Sequence, residues 1–131
     1  MGADLRPPLA NIPPYVVAVA DYEDLARDRM TGPAWAWLQG GAADETTLFA
    51  NRNAFGRLEL VPRVLADMAG ANTRLELFGK SYEHPVFLAP VAFQQVAHPE
   101  GELATVQAAS AMGAGMVVST QASIPLEAIA R

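Results

Sequence analysis

The segment at residues 86–102 holds the side chains whose types and spacing best suit chemistry. His98 and Glu100 lie two residues apart in a predicted loop, where an imidazole and a carboxylate can form an acid–base pair. The apolar run at residues 86–89 precedes this loop and ends at Pro90, because proline cannot donate to a central strand ladder. Ligands of α/β proteins bind in the loop that follows a buried strand, so the sequence predicts a binding site here.

Other kinds of site are disfavoured. The chain has no cysteine, which excludes disulfides, thiolate metal ligands and a cysteine nucleophile. Two histidines without a third ligand disfavour a metal site. The Gly113-Ala114-Gly115 run lacks the third glycine of a dinucleotide-binding motif. The loop after Pro90 is therefore the principal candidate.

Composition narrows the class of protein. A chain of 131 residues with 51% hydrophobic residues is expected to form one domain with a real core. A net charge of −5 disfavours nucleic acid as a partner. No apolar run approaches the ~20 residues that span a bilayer, and no targeting signal is evident. We expect a cytoplasmic protein, and the absence of cysteine fits a reducing compartment.

The N-terminal third predicts an arm followed by helices. Residues 1–20 carry four of the ten prolines and no helical period, so we expect an extended arm. Asp21 and Asp44 are the expected N-caps of the first and third helices. The three predicted helices cover residues 22–30, 34–39 and 45–55.

The middle of the chain predicts a small antiparallel element. A short strand is expected at residues 58–61. Residues 73–78 alternate polar and apolar side chains, which is typical of a half-exposed strand. Gly79-Lys80 is expected to turn this strand into a hairpin that continues toward Tyr82.

The C-terminal half predicts a β-α-β-α unit. Strands are expected at residues 86–89 and 116–119, which implies a parallel pair joined by a crossover helix. That helix is expected from about residue 101 to 112, with Pro99 at a first helical position and Glu100 and Glu102 in the first turn. A second helix is expected to start near Ser123 and Pro125. Two parallel strands need neighbours on both edges, so we expect part of a larger or split α/β protein.

Several runs along the chain resemble the FMN-dependent α-hydroxy acid oxidases and dehydrogenases, the family of glycolate oxidase, lactate oxidase and the mandelate-oxidising enzymes. The resemblance covers residues 22–131, and its specificity comes from many motifs in the same order. These motifs are GAADE at 41–45, NRNAF at 51–55, PRVL at 62–65, FG at 78–79, Pro85, LAPVA at 88–92, HPEGE at 98–102, AA at 108–109 and ST at 119–120.

The resemblance implies a fold and an assembly. The family fold is a (β/α)8 barrel preceded by helices and a small β element. Residues 86–90 and 116–119 would be its first two strands, with their loops at the face that carries barrel active sites. Residues 21–131 would then be the N-terminal portion of one barrel domain. The expected partners are the remainder of the barrel and further copies in a homo-oligomer, a tetramer in the family.

The resemblance also implies an activity. Family members oxidise a 2-hydroxy acid to the 2-oxo acid, with hydride transfer to N5 of FMN and reoxidation by oxygen or another acceptor. Their catalytic His and their Arg and Lys residues belong to later strands, so we expect no catalytic residue here and an inactive isolated chain. His98 is then expected to cap the helix or pack the loop.

Five residues resemble the family's flavin contacts. Pro90, Val91 and Ala92 match the backbone stretch along the flavin ring, with the Ala92 amide toward N5. Ser119 matches a hydroxyl offered to the ring at the end of strand two. Gln121 matches a side chain placed near the ring.

Two aromatic residues are the expected substrate contacts. Trp37 stands where the family commonly has a tyrosine that helps bind the substrate carboxylate, and its indole offers one N–H donor on a larger ring. Phe93 follows Ala92 and is expected to line the pocket. The two rings favour a substrate that is a bulky or aromatic 2-hydroxy acid. The alternative role for Trp37 is packing in the core of its helix.

Two alternatives stay open at this point. The first alternative to the oxidation of 2-hydroxy acids is a non-catalytic fragment that assembles with a partner chain. The second is another FMN barrel enzyme, such as an isomerase that uses reduced flavin.

Overall fold

The computed structural model of the protein describes residue 7 and residues 9–131. The predicted order of helices, hairpin and β-α-β-α unit is confirmed. The elements are α1 (Tyr22–Arg27), α2 (Gly32–Gln39), α3 (Thr46–Phe55), β1 (Leu75–Leu77), β2 (Lys80–Tyr82), β3 (Phe87–Leu88), α4 (Glu102–Ala111), β4 (Gly115–Met116) and α5 (Leu126–Ile129), with single 3-10 turns at Val19–Asp21 and Gln94–Val96.

The expected extended arm lies partly outside the described residues. Residues 1–6 and 8 are not described, and the end of the predicted arm contains the 3-10 turn at Val19–Asp21. Asp21 occupies the N-cap position of α1, as predicted, but its side chain makes no capping hydrogen bond to the helix. Its carboxylate accepts the N–H groups of Val17 at 2.9 Å and Ala18 at 2.8 Å, so it closes the preceding turn and its pKa lies below the usual value.

Helix α2 begins and ends at residues that suit helix termini. The Thr31 hydroxyl accepts the N–H of Ala34 at 3.3 Å, and proline follows within the first turn. The helix ends at Gly40, as predicted. These two ends fix the position of Trp37 on the last turn.

Helix α3 starts at Thr46. The prediction that Asp44 is its N-cap is wrong. Glu45 takes the N-cap position in a left-handed conformation, with φ 61°, which keeps it outside the helix. Its carboxylate reaches back to the N–H of Gly41 at 2.9 Å.

The predicted hairpin is confirmed. Strands β1 and β2 pair antiparallel with Leu77 opposite Lys80. The two residues between them, Phe78 and Gly79, both have positive φ, which is the pattern of a type I′ turn. The predicted strand at 58–61 does not form, since no described strand pairs with these residues.

The predicted parallel pair is confirmed, but its strands are shorter than predicted. Phe87 pairs with Gly115 and Leu88 with Met116, and the Val117 N–H extends the ladder to the Leu88 carbonyl at 3.0 Å. Within residues 9–131 no third strand joins this sheet, so no closed barrel is seen. The observed strands are shorter than the predicted ones because neither strand has a further neighbour on its outer edge to extend the hydrogen-bond ladder.

The hydrophobic core is small. Its buried apolar residues, within the described part, are Ala34, Ala109 and Ile129. Phe87 packs between Gly115 and the Tyr82 ring, whose centroid is 4.7 Å from its own. Many large apolar side chains stay exposed, including Leu60 and Leu65 at 99%. Of the helices described, none combines the length and apolar character needed to cross a membrane.

Candidate functional site

Two loops meet at the carboxyl ends of β3 and β4. We call residues 89–98 the first loop and residues 117–125 the second loop. The N–H of Phe93 donates to the Gln121 carbonyl at 3.0 Å, and the N–H of Gln95 donates to the Ser123 hydroxyl at 3.1 Å. The structure therefore brings together the predicted flavin contacts of both loops. Adjacent parallel strands explain this, because their carboxyl ends lie on the same edge of the sheet.

The first loop presents backbone donors beside a small side chain. The amide N–H groups of Val91 and Ala92 donate to no acceptor in the described part of the chain. Val91 is 44% exposed and Pro90 is also exposed, while Ala92 is half-buried. The Gln94 side-chain amide donates to the Val91 carbonyl at 3.4 Å and holds the loop from behind. The loop thus offers unpaired N–H groups with little steric obstruction.

The second loop presents one hydroxyl. Ser119 is half-buried, and its oxygen accepts the N–H of Gln121 at 3.1 Å. A serine hydroxyl keeps one donor after accepting such a bond, and no described residue accepts it. The exposed Gln121 side chain makes no hydrogen bond to any residue described. Both side chains are available to a ligand above the loops.

The two predicted substrate residues are in contact. The rings of Trp37 and Phe93 lie 6.0 Å apart, centroid to centroid, at an interplanar angle of 59°. Trp37 is 50% exposed and Phe93 is 43% exposed, so the pair forms a surface rather than a buried core. Phe93 adopts a left-handed conformation, with φ 52°, that begins the 3-10 turn of the first loop. Tilted aromatic pairs of this spacing are favourable.

A largely apolar cavity of about 580 Å³ lies beneath the first loop. Its volume falls in the range of small-molecule sites. Its walls come from the first loop, from Leu38 of α2 and Leu88 of β3, and from one face of α4 with the glycine before it. The residues of this last wall are Gly101, Ala104, Thr105 and Ala108.

One functional residue was missed by the sequence analysis. Glu102 is completely buried at the first position of α4. Its Oε1 accepts the N–H of Gln94 in the first loop at 3.2 Å and the N–H of Ser123 in the second loop at 2.9 Å. An acidic residue in a first helical turn is expected at the surface, so no single-sequence signal separates Glu102 from Glu100.

The environment of Glu102 favours its charged form. Burial raises the pKa of this carboxyl, but hydrogen bonds to it outweigh burial, and the net pKa lies below the usual value. The donors are the backbone N–H groups of Ser123, Glu102 and Gln94 and the Ser123 hydroxyl. Its second oxygen, Oε2, is buried with no partner among the described residues.

His98 and Glu100 do not form an acid–base pair. No ion pair between them occurs among the described residues, and His98 Nδ1 accepts the backbone N–H of Glu100 at 3.2 Å. His98 therefore caps the turn before α4, as the family resemblance implied. The expected helical position of Pro99 is wrong because Gly101, with φ 49°, interrupts the helix before Glu102. No metal-binding cluster is found in the described part of the chain.

Comparison with known proteins identifies the class. A family model described as FMN-dependent dehydrogenase matches residues 26–131, which is most of the chain. The chain therefore belongs to the FMN-dependent dehydrogenase family, and the resemblance inferred from its motifs is confirmed.

Individual relatives agree with this assignment. The chain is 44% identical over 128 residues to an L-lactate oxidase of Roseobacter sp. (strain GAI101), covering 98% of this chain and 34% of that protein. It is 41% identical over 114 residues to 4-hydroxymandelate oxidase of Amycolatopsis orientalis, covering 87% of this chain and 32% of that protein. A crystal structure of mandelate oxidase with (S)-4-hydroxymandelic acid matches with a TM-score of 0.80 and 41% identity, over 85% of this chain and 31% of that one. The chain thus spans about a third of the length of these relatives.

Proposed function

We propose that the protein containing this chain oxidises a 2-hydroxy acid to the 2-oxo acid with FMN, and that this chain supplies one wall of the flavin and substrate sites. The observation that carries the proposal is the junction of the two loops, fixed by the hydrogen bond from Phe93 to Gln121. In (β/α)8 barrels the loops at this end of the strands build the active site. Relatives that are L-lactate oxidase and 4-hydroxymandelate oxidase support the substrate class.

The loops fit a flavin ring. The unpaired N–H groups of Val91 and Ala92 suit the ring's acceptor atoms, and the small side chain of Ala92 leaves room for close approach. The Ser119 hydroxyl offers a donor from the opposite loop, with Gln121 beside it and Pro90 completing the contact surface. When bound, FMN supplies the acceptor for the hydride that leaves the substrate α-carbon, and oxygen or another acceptor reoxidises it.

This chain binds and orients but does not complete the reaction. Its lysine, Lys80, lies in the hairpin, and neither loop contains an arginine. The base that takes the hydroxyl proton and the cations that hold the substrate carboxylate and the FMN phosphate are proposed to come from other parts of the barrel. The isolated chain is therefore expected to be inactive.

The Trp37–Phe93 surface supports a substrate with a bulky or aromatic side chain. The two exposed rings lie beside the loop that carries Ala92, where a substrate above the flavin would place its side chain. The Trp37 indole N–H, which donates to no described residue, is proposed to reach the substrate carboxylate. Similarity to 4-hydroxymandelate oxidase favours the same substrate class.

The remaining barrel is proposed to cover the exposed apolar surface around the parallel strands. Val86 precedes β3 and Val117 follows β4, and both side chains are half or more exposed, as is that of Leu126 at the start of α5. We propose that residues 21–131 form the N-terminal portion of one (β/α)8 domain, with residues 1–20 as an arm. Expressing residues 1–131 alone tests this need for a partner. A stable monomer that unfolds cooperatively would contradict it.

The assembly and compartment follow the family resemblance. We propose a cytoplasmic homo-oligomer, a tetramer, with no nucleic-acid partner. The net charge of −5 disfavours a nucleic-acid partner, and the absence of cysteine fits a reducing compartment, whereas the tetramer rests on the family resemblance alone. Light scattering of protein from the complete gene tests the tetramer.

A substrate panel tests the reaction. Protein from the complete gene is assayed with glycolate, L-lactate and (S)-mandelate, and the 2-oxo acid is quantified with and without oxygen. We expect 2-oxo acid formation, with mandelate preferred over glycolate. Bound FMN with no oxidation of any 2-hydroxy acid would favour another flavin barrel enzyme, such as an isomerase. A protein without FMN would favour the non-catalytic assembly role.

A further inference from the structure

We propose that Glu102 is a positioning residue that holds the first and second loops in register, so that their backbone is presented to the flavin. The expected effect on flavin binding rests on the proposed function. The hydrogen bonds of Glu102 to the two loops are observed within this chain. Glu102 is not one of the ring contacts; it lies behind the loops, at the start of α4.

A single carboxylate oxygen joins the two loops. Glu102 Oε1 accepts one backbone N–H from each loop, Gln94 at 3.2 Å and Ser123 at 2.9 Å. Ser123 in turn accepts the N–H of Gln95 through its hydroxyl at 3.1 Å. The carboxylate is fully buried, so water does not replace these bonds if it is removed.

Gln94 carries the connection from Glu102 to the proposed flavin contact. Its side-chain oxygen accepts the Thr105 hydroxyl at 2.5 Å, and its side-chain nitrogen donates to the Val91 carbonyl at 3.4 Å. The backbone N–H of Gln94 is the group that Glu102 accepts. A shift of Gln94 therefore moves Val91 directly.

The close approach of α4 to the first loop depends on Gly101. A Cβ at this position would lie 2.8 Å from Gln95 Cγ and 3.2 Å from the Gln95 backbone nitrogen. Its φ of 49° also suits glycine and few other residues. Glycine immediately before Glu102 lets the carboxylate reach both loops.

Two variants and a matched control test the proposal in protein from the complete gene. Glu102→Ala removes the shared acceptor, and Glu102→Gln keeps an oxygen that can accept both N–H groups. Glu100→Ala removes an exposed acid two residues earlier, whose side chain makes no hydrogen bond to the described residues. The measurements are hydrogen exchange at the Gln94 and Ser123 amides without cofactor, and the dissociation constant and visible spectrum of FMN.

Glu102→Ala is expected to speed exchange at both amides and raise the FMN dissociation constant, each by at least ~10-fold, because two buried donors lose their partner. Glu102→Gln is expected to bring the dissociation constant within ~3-fold of wild type, and Glu100→Ala within ~2-fold. A shifted flavin spectrum in Glu102→Ala distinguishes positioning from a loss of stability alone.

Equal exchange rates and equal FMN binding in Glu102→Ala and Glu100→Ala would overturn the inference. If Glu102→Ala does not fold, Glu102→Asp keeps the charge but shortens the side chain by one methylene, which withdraws the shared oxygen from the N–H groups of Gln94 and Ser123. Unchanged amide exchange and unchanged FMN binding in that variant would also overturn the inference. A wild-type protein that binds no FMN would contradict the proposed function instead, while the exchange data would still decide whether Glu102 holds the loops.

Discussion

The pairing of β3 with β4 depends on the absence of a side chain at Gly115, and a substitution there tests this dependence. This residue pairs with Phe87 across the parallel ladder, and a Cβ built on it would overlap the Phe87 ring. The ring has little freedom to move because the Tyr82 ring contacts it, with centroids 4.7 Å apart. We therefore expect Gly115→Ala to separate the two strands that position both loops.

The size of the effect follows from overpacking. An added methyl in a packed position costs ~1–3 kcal/mol. At about 2 °C per kcal/mol for a larger domain, Tm should fall by roughly 2–6 °C. FMN affinity should also fall, because the second loop begins at Val117, two residues after Gly115, and the Val117 N–H bond to Leu88 holds this end of the loop to β3.

Thermal unfolding and FMN titration of protein from the complete gene provide the assay. Gly56→Ala is the matched control, since a Cβ there lies at an ordinary 3.6 Å from the Asn53 carbonyl oxygen and the φ of −68° suits alanine. Its Tm should stay equal or rise slightly, because alanine loses less backbone entropy than glycine on folding.

A double variant tests the stated cause. Phe87→Leu removes the ring that blocks the new methyl, so Gly115→Ala should cost less in that background, with a coupling of ~0.5–3 kcal/mol. Additive losses, or a Gly115→Ala protein with the Tm of Gly56→Ala, would refute the packing argument.

Three further predictions concern individual contacts. Because hydrogen bonds lower the folded-state pKa of Glu102 below its usual 4.5, its stabilisation is complete above about pH 4.5 and is lost as pH falls through the lower folded value. The stability advantage of wild type over Glu102→Gln should therefore shrink on acidification in unfolding curves; a constant difference would contradict the hydrogen-bond account. Thr31→Ala removes the N-cap of α2 and should cost ~0.5–2 kcal/mol in a urea titration, with no change if the cap is unimportant. Phe93→Ala removes the ring beside Trp37 and should lower the kcat/KM ratio of mandelate to lactate by ~2–12-fold, since an aromatic pair contributes ~0.5–1.5 kcal/mol; an unchanged ratio would remove Phe93 from the substrate pocket.

The sequence predicted those elements whose ends are marked by local chemistry. The hairpin and the stop at Gly40 depend on residues next to the feature itself. The stop was located correctly, and the hairpin turn lies at Phe78-Gly79, one residue before the predicted Gly79-Lys80. The order of β3, α4 and β4 followed from apolar runs separated by a helical segment. Each of these signals acts over a few residues, so a single sequence contains it.

Features that depend on which of several possible partners a group takes were not predictable from a single sequence. Asp21 and Glu45 bond backward to preceding residues rather than forward to their helices. Residues 58–61 have the composition of a strand but no described partner to pair with. Glu102 resembles an exposed helix-start acid, and only the approach of Ser123, which is 21 residues away, reveals its role.

Anaerobic titration of the purified protein from the complete gene with a 2-hydroxy acid tests the central claim most directly. We predict a yellow protein that releases one FMN per chain on denaturation and loses its visible flavin absorption when L-lactate or (S)-mandelate is added, with an equivalent amount of 2-oxo acid formed. A folded, colourless protein that takes up no added FMN, or a yellow protein that no 2-hydroxy acid bleaches, would contradict the account.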